Sequence, residues 1–105
     1  MSNTGFIFKK DLFVETPESG ISRQLLGYDE TMMMLKISFE KGVEGAMHQH
    51  QHTQATFVEC GVFEFTIGEE KRIVKQGDAC FMVSNILHGC VCLEAGTLID
   101  VFTGV

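Results

Sequence analysis

Positive charge is scarce in this chain. Eight Lys and Arg residues stand against fourteen Asp and Glu in 105 residues, a formal net charge of −6. A broad phosphate-neutralising surface is therefore excluded, and nucleic acid is not expected as a partner. Long apolar runs are missing too. None approaches the roughly 18 residues that a membrane span requires, because Lys36, Glu40 and Asp100 interrupt the candidates, so no membrane partner is expected. The N-terminal stretch Met1-Ser2-Asn3-Thr4-Gly5 lacks the basic and apolar regions of an export signal, which points to a cytoplasmic protein. A single proline, with 45% hydrophobic and 21% charged residues, excludes a disordered tail or a collagen-like repeat. One packed domain over residues 1–105 is expected. The four cysteines, Cys60, Cys80, Cys90 and Cys92, form no CxxC pair. In a reducing compartment they are read as small buried hydrophobes rather than a disulfide framework.

Helical periodicity is also absent, whereas alternation with period two recurs along most of the chain. In Met33-Met34-Leu35-Lys36-Ile37-Ser38-Phe39-Glu40 the odd positions are apolar, as in a strand with one face in the core, and the methionine run reads as core packing. Phe63, Phe65 and Ile67 alternate with Glu64 and Thr66, and Gly68-Glu69-Glu70 then provides a turn before Lys71-Arg72-Ile73-Val74. Further short strands are expected at Ile21 to Leu26, Thr56 to Cys60, Ala79 to Met82, His88 to Leu93 and Thr97 to Phe102. Such spacing, punctuated by glycine with no helix between, predicts an all-β antiparallel sandwich or barrel. The apolar stretch Phe6-Ile7-Phe8 is expected as an N-terminal strand that crosses to a neighbouring copy, and a homodimer follows from it.

The chain has four histidines. His48, His50 and His52 are clustered, and His88 stands near the start of a later strand. Spacing by two in a strand puts His48 and His50 on one face, and Gln54 has the same parity. With His88 from a neighbouring strand, the set offers three imidazole nitrogens and one amide oxygen, a shell for a divalent transition metal with positions left open. Such a shell accepts zinc, nickel, iron or manganese, so its metal is not specified. His52 is read as a surface or satisfied residue. Cys90 and Cys92 share the parity of His88, and coordination by either would draw the site towards zinc or copper. They are read as lying outside the shell. An H-x-H pair alone is a weak signal, and its context decides.

That context is specific. Gly42, then His48-x-His50, Gln54 and Gly61, resembles the first motif of the cupins, with glutamine where glutamate is usual. Gly77, then Val83-Ser84-Asn85, His88 and Cys92, resembles the second, with Val83, Asn85 and Cys92 at its proline, glycine and asparagine positions. The resemblance implies an RmlC-like jelly roll, a double-stranded β-barrel with one metal inside. A similarity over most of the chain, including Phe39-Glu40-Lys41-Gly42, the run from Gly45 to His52 and Leu98-Ile99-Asp100-Val101-Phe102, looks like the KdgF family of pectin-degradation cupins. That family opens the ring of 4,5-unsaturated monouronates from pectin or alginate, so the resemblance implies a small sugar acid as substrate and a metal-dependent isomerase. It also implies His48, His50, Gln54 and His88 as metal ligands, with Asp100 and Phe102 at active-site positions. The family's arginine beyond the Asp-x-Phe pair has no counterpart here, and Arg23 is the candidate for the substrate carboxylate.

Asp100 lies among apolar strand residues, where a carboxyl group holds its proton more readily than in water, so it is the candidate general acid/base. Alternation puts Asp100 and Phe102 on one face and Ile99 and Val101 on the other, without telling which is inside. Small barrels host unrelated functions. A dioxygenase and a non-catalytic binding or sensory module are therefore the competing classes.

Overall fold

In the computed structural model, residues 5–104 are described. Met1 to Thr4, read above for an export signal, and Val105 lie outside the described residues. A three-residue 3-10 turn at Lys9–Asp11 precedes eight strands. They are β1 (Glu15–Glu18), β2 (Ile21–Tyr28), β3 (Met32–Phe39), β4 (Glu44–His48), β5 (Thr53–Ile67), β6 (Glu70–Lys75), β7 (Ala79–Met82) and β8 (His88–Thr103). All pairings are antiparallel. The all-β expectation holds, and no helix among the described residues is long and apolar enough to cross a membrane.

Two long strands hold the barrel together. The pairs expected at Thr56 to Cys60 and Phe63 to Ile67, and at His88 to Leu93 and Thr97 to Phe102, are each one bent strand, β5 and β8. Residues 53–60 of β5 pair with residues 97–103 of β8, in a sheet that continues through β3, β2 and β1 on one side and β7 on the other. Residues 62–67 of β5 pair with residues 88–94 of β8, flanked by β6 and β4. Each long strand therefore passes from one sheet to the other, and the core fills the space between.

The bend is built on two glycines. Gly61 has φ +86°, and a Cβ there would lie 2.8 Å from the carbonyl oxygens of Ala95 and Glu94 and overlap Gly96 Cα. A Cβ on Gly96 would in turn overlap the Cys60 carbonyl and stand 2.6 Å from Gly61 Cα. Only glycine lets the two backbones cross so closely. The register shifts between Val58 and Phe63 also change the parity of β5. Gln54, Thr56 and Val58 face inward before the bend, and Phe63 and Phe65 after it.

The core holds Ile21, Phe39, Val58, Phe63, Phe65, Cys80, Met82, Cys92 and Leu98. Phe39 and Phe63 meet edge to face with centroids 5.4 Å apart, the arrangement that aromatic quadrupoles favour. The hairpin expected at Gly68-Glu69 joins β5 to β6, with Ile67 opposite Glu70.

Three expectations are corrected. Met34, read as core packing, is 37% exposed on the outer face of β3, because Leu35, Ile37 and Phe39 take the inner one. Cys60 is exposed at the bend, where the strand's change of parity turns it outward, and all four thiols are free. Phe6-Ile7-Phe8 forms no strand. It runs extended and exposed into the 3-10 turn, with Ile7 against Gly27 of β2.

Candidate metal centre

His48, His50 and His88 come together, although not through one strand face. His48 ends β4 opposite His88, which begins β8, while His50 lies in the loop that follows. That loop is tied to the one before β8 by a bond from the Asn85 N–H to the His50 carbonyl, 2.7 Å. Asn85 makes this bond with φ 66°, a left-handed conformation that asparagine tolerates better than most side chains. It stands at the glycine position of the second cupin motif and meets the same backbone demand.

One ring nitrogen from each of the three histidines lies within 4.8 Å of the others. Backbone carbonyls orient them. Each Nδ1 lies against a backbone carbonyl, Ala46 at 2.8 Å for His48, His52 at 2.9 Å for His50 and Ile86 at 2.9 Å for His88. A carbonyl only accepts, so Nδ1 carries the proton in all three and Nε2 is left with a lone pair facing inward. Gln54 Oε1 stands 3.1 Å from His50 Nε2 and 3.2 Å from His88 Nε2. Acceptors thus face one another across the centre, which requires a cation or a proton between them. The donor set of three imidazoles and an amide oxygen fits a divalent transition metal.

Behind Gln54 lies a residue that alternation alone did not single out. Gln54 Nε2 donates to Thr56 Oγ1 at 2.9 Å, and the Thr56 hydroxyl donates to Asp100 Oδ1 at 2.7 Å. Thr56 shares the parity of Gln54, and that was its signal in the sequence. Asp100 is inside, 5% exposed. Burial pushes its carboxyl up from the usual carboxylate value, against hydrogen bonds from Thr56 and Gln54 and the nearby imidazoles of His48 and His50. Burial also lowers His88, which favours the neutral ring that a metal ligand needs.

The centre opens on a cavity of about 350 Å³. His48, Gln54, His88, Asp100 and Phe102 line it, with Leu35, Ile37 and Leu98 as apolar wall and Arg23 and Glu18 also on its lining. Its volume is at the lower end for small-molecule sites, roughly 300–1,000 Å³. Phe102 meets the His50 ring at 67° with centroids 5.7 Å apart. Arg23 is exposed and reaches Glu15 Oε2 at 3.4 Å.

His52 is held away from the centre, its Nδ1 against the Gly104 carbonyl at 3.0 Å. Cys90 lines the cavity but is not among the side chains whose ligand atoms converge, and burial pushes its thiol up to about 12. Cys92 is fully buried in the core.

Residues 35–102 match the family model of the cupin domain. The chain is 44% identical over 86 residues to the pectin degradation protein KdgF of Dickeya dadantii (strain 3937), covering 80% of this chain and 78% of that one. Among solved structures, an RmlC-like cupin from Shewanella frigidimarina NCIMB 400 superposes with a TM-score of 0.96 at 34% identity, covering 99% of this chain and 94% of that one. KdgF from Halomonas sp. superposes with a TM-score of 0.92 at 30% identity, covering 98% and 96%.

Proposed function

Since the chain belongs to the cupin family, and within it with the KdgF proteins, we propose that it is a metal-dependent isomerase that opens the ring of 4,5-unsaturated monouronates during pectin or alginate breakdown. The observation that carries this reading is the convergence of an all-neutral donor set with a buried acid, Asp100, on a cavity of monosaccharide size.

The substrate is a cyclic enol ether. Protonation at C4 and addition of water at C5 give a hemiketal. Cleavage of its C5 bond to the ring oxygen leaves a ketone at C5 and a hydrated aldehyde at C1, which returns the water. The change is an isomerisation and consumes no redox equivalent. His48, His50, His88 and Gln54 would hold the metal, which would supply Lewis-acid polarisation of a substrate oxygen with its double charge undiminished by anionic ligands.

The chain's own groups do the rest. Asp100 is the general acid/base, because burial favours its protonated form and hydrogen bonding fixes its orientation. Phe102 walls the cavity over the sugar face. Arg23 receives the uronate carboxylate, exchanging its exposed contact with Glu15 for a bidentate one. A homodimer remains part of the proposal. Phe6, Phe8 and Phe13, at 90%, 56% and 89% exposed, offer apolar surface for a second copy, and sedimentation at monomer mass would contradict it. A cytoplasmic location, where such sugars would meet the enzyme, is part of the proposal as well.

The test pairs metal analysis of the purified protein with the loss of ultraviolet absorbance of 4,5-unsaturated galacturonate. Metal-loaded protein should exceed the spontaneous rate, and chelated protein or His48→Ala should not. A loaded centre without acceleration would refute the isomerase. Oxygen uptake with another substrate would then favour a dioxygenase, and saturable uronate binding without product would favour a binding module.

A further inference from the structure

Thr56 is polar and 2% exposed, and no role has been assigned to it above. Its hydroxyl lies between Gln54 Nε2 at 2.9 Å and Asp100 Oδ1 at 2.7 Å. A hydroxyl has one proton to give. Asp100 Oδ1 accepts it, and does so equally when the carboxyl carries its own proton on Oδ2, so the other neighbour has to be a donor. The amide NH2 of Gln54 is a donor, and an amide turned this way presents its oxygen to His50 and His88. Turned the other way, it would set two acceptors, Gln54 Oε1 and Asp100, against a single hydroxyl proton, and would direct NH2 at the metal.

We infer that Thr56 is the positioning residue of the centre: by donating to Asp100 and accepting from Gln54, it holds the amide so that oxygen rather than nitrogen completes the histidine shell. The same chain of bonds links the shell to the acid. It also gives a physical reason for glutamine at position 54. An ionised glutamate has no proton for Thr56, and its oxygen and Asp100 Oδ1 would then compete for one hydroxyl proton. Glutamine and threonine at these positions work as a pair.

This inference rests on the metal-dependent reading of the site, and its test is separable from it. The probe is Co2+ alone, added to the metal-free full chain. Affinity is read by chelator competition, and the ligand set by the visible ligand-field absorption. T56V keeps the shape of the side chain and removes the hydroxyl, whereas T56S keeps the hydroxyl and removes the methyl. T56V should lose about 10- to 100-fold in Co2+ affinity, as metal sites do when an outer partner is removed, and its absorption should shift. T56S should stay close to the parent protein in both. T56A replaces T56V should the latter not fold, with the same expectation.

Parental affinity and spectrum in T56V would overturn the inference. So would T56S falling as far as T56V, since that is the pattern of a packing role. The uronate assay runs alongside. Turnover by the parent with unaltered Co2+ binding in T56V refutes the positioning role and leaves the isomerase. Weakened Co2+ binding in T56V with no turnover by any form refutes the isomerase and leaves the positioning role.

Discussion

The crossing of β5 and β8 at Gly61 and Gly96 permits a quantitative test. In Gly61→Ala the new methyl carries two separate costs. The backbone there has φ +86°, and holding a residue with a Cβ in the left-handed region costs about 1–2 kcal/mol. The methyl would also stand 2.8 Å from the Ala95 and Glu94 carbonyl oxygens and overlap Gly96 Cα. All three are backbone atoms in a paired strand, so relief requires the strands to part, an overpacking cost of about 1–3 kcal/mol. The sum is roughly 2–5 kcal/mol of a total stability of about 5–15 kcal/mol. At about 4–8 °C per kcal/mol for a domain of this size, Tm should fall by about 10 °C or more. Gly42→Ala is the control, because Gly42 has the same φ of +86° but nothing within 4 Å of the added Cβ. It should lose the backbone part alone, about 1–2 kcal/mol. Thermal and urea unfolding of the metal-free proteins, followed by circular dichroism, measures both. Equal losses in the two variants, or a Gly61→Ala protein as stable as its parent, would refute the claim that the strands cross within reach of a methyl group.

Three further outcomes are expected. Asn85→Gly should leave stability nearly unchanged, whereas Asn85→Ala should cost about 1 kcal/mol at φ 66° and weaken metal binding through the His50 loop; thermal melts with and without metal decide. Asp29 accepts bonds from Thr31 N, Thr31 Oγ1 and Met32 N at 2.7, 2.7 and 2.9 Å, and these hold its carboxyl below the usual value of 3.8. With the folded value depressed, its stabilisation is present above pH 3.8 and fades as pH falls through the folded value. The difference in urea midpoint between the parent and Asp29→Asn should therefore be largest near neutrality and shrink in acid, and a constant difference would contradict the assignment. Asp100→Asn should retain the metal, since Asp100 lies behind the shell, and lose about 10²- to 10⁴-fold in uronate turnover. Unchanged turnover with metal bound would remove Asp100 from the chemistry.

Much of this molecule was legible from local pattern. Alternation identified β2, β3, β6 and β7, and Gly68-Glu69 marked its hairpin, because side chains on a strand alternate whatever lies across from it. The residue types at His48, His50, Gln54 and His88 pointed to a shared centre, because they are scarce and chemically matched, although His50 reaches it from a loop and not from the strand face that alternation implied. The failures share a different character. Residues 53–67 read as two strands, since the change of parity at Gly61 arises only where β5 passes over β8. Met34 and Cys60 read as core and face outward, because composition reports that a residue is apolar and not which side is covered.

The sequence by itself determined the strand-forming pattern, the glycines at which the backbone can bend and the identity of the side chains that converge at the candidate centre. Tertiary structure decided which face of β8 is inside, and with it that Asp100 is buried at the centre. It also decided that His50 reaches that centre from a loop tied to Asn85, and that Thr56 stands between Gln54 and Asp100. The physical reason is range. Alternation and turn chemistry are properties of a few neighbouring residues, whereas inside and outside exist only once strands 44 residues apart, such as those carrying Thr56 and Asp100, have closed on one another.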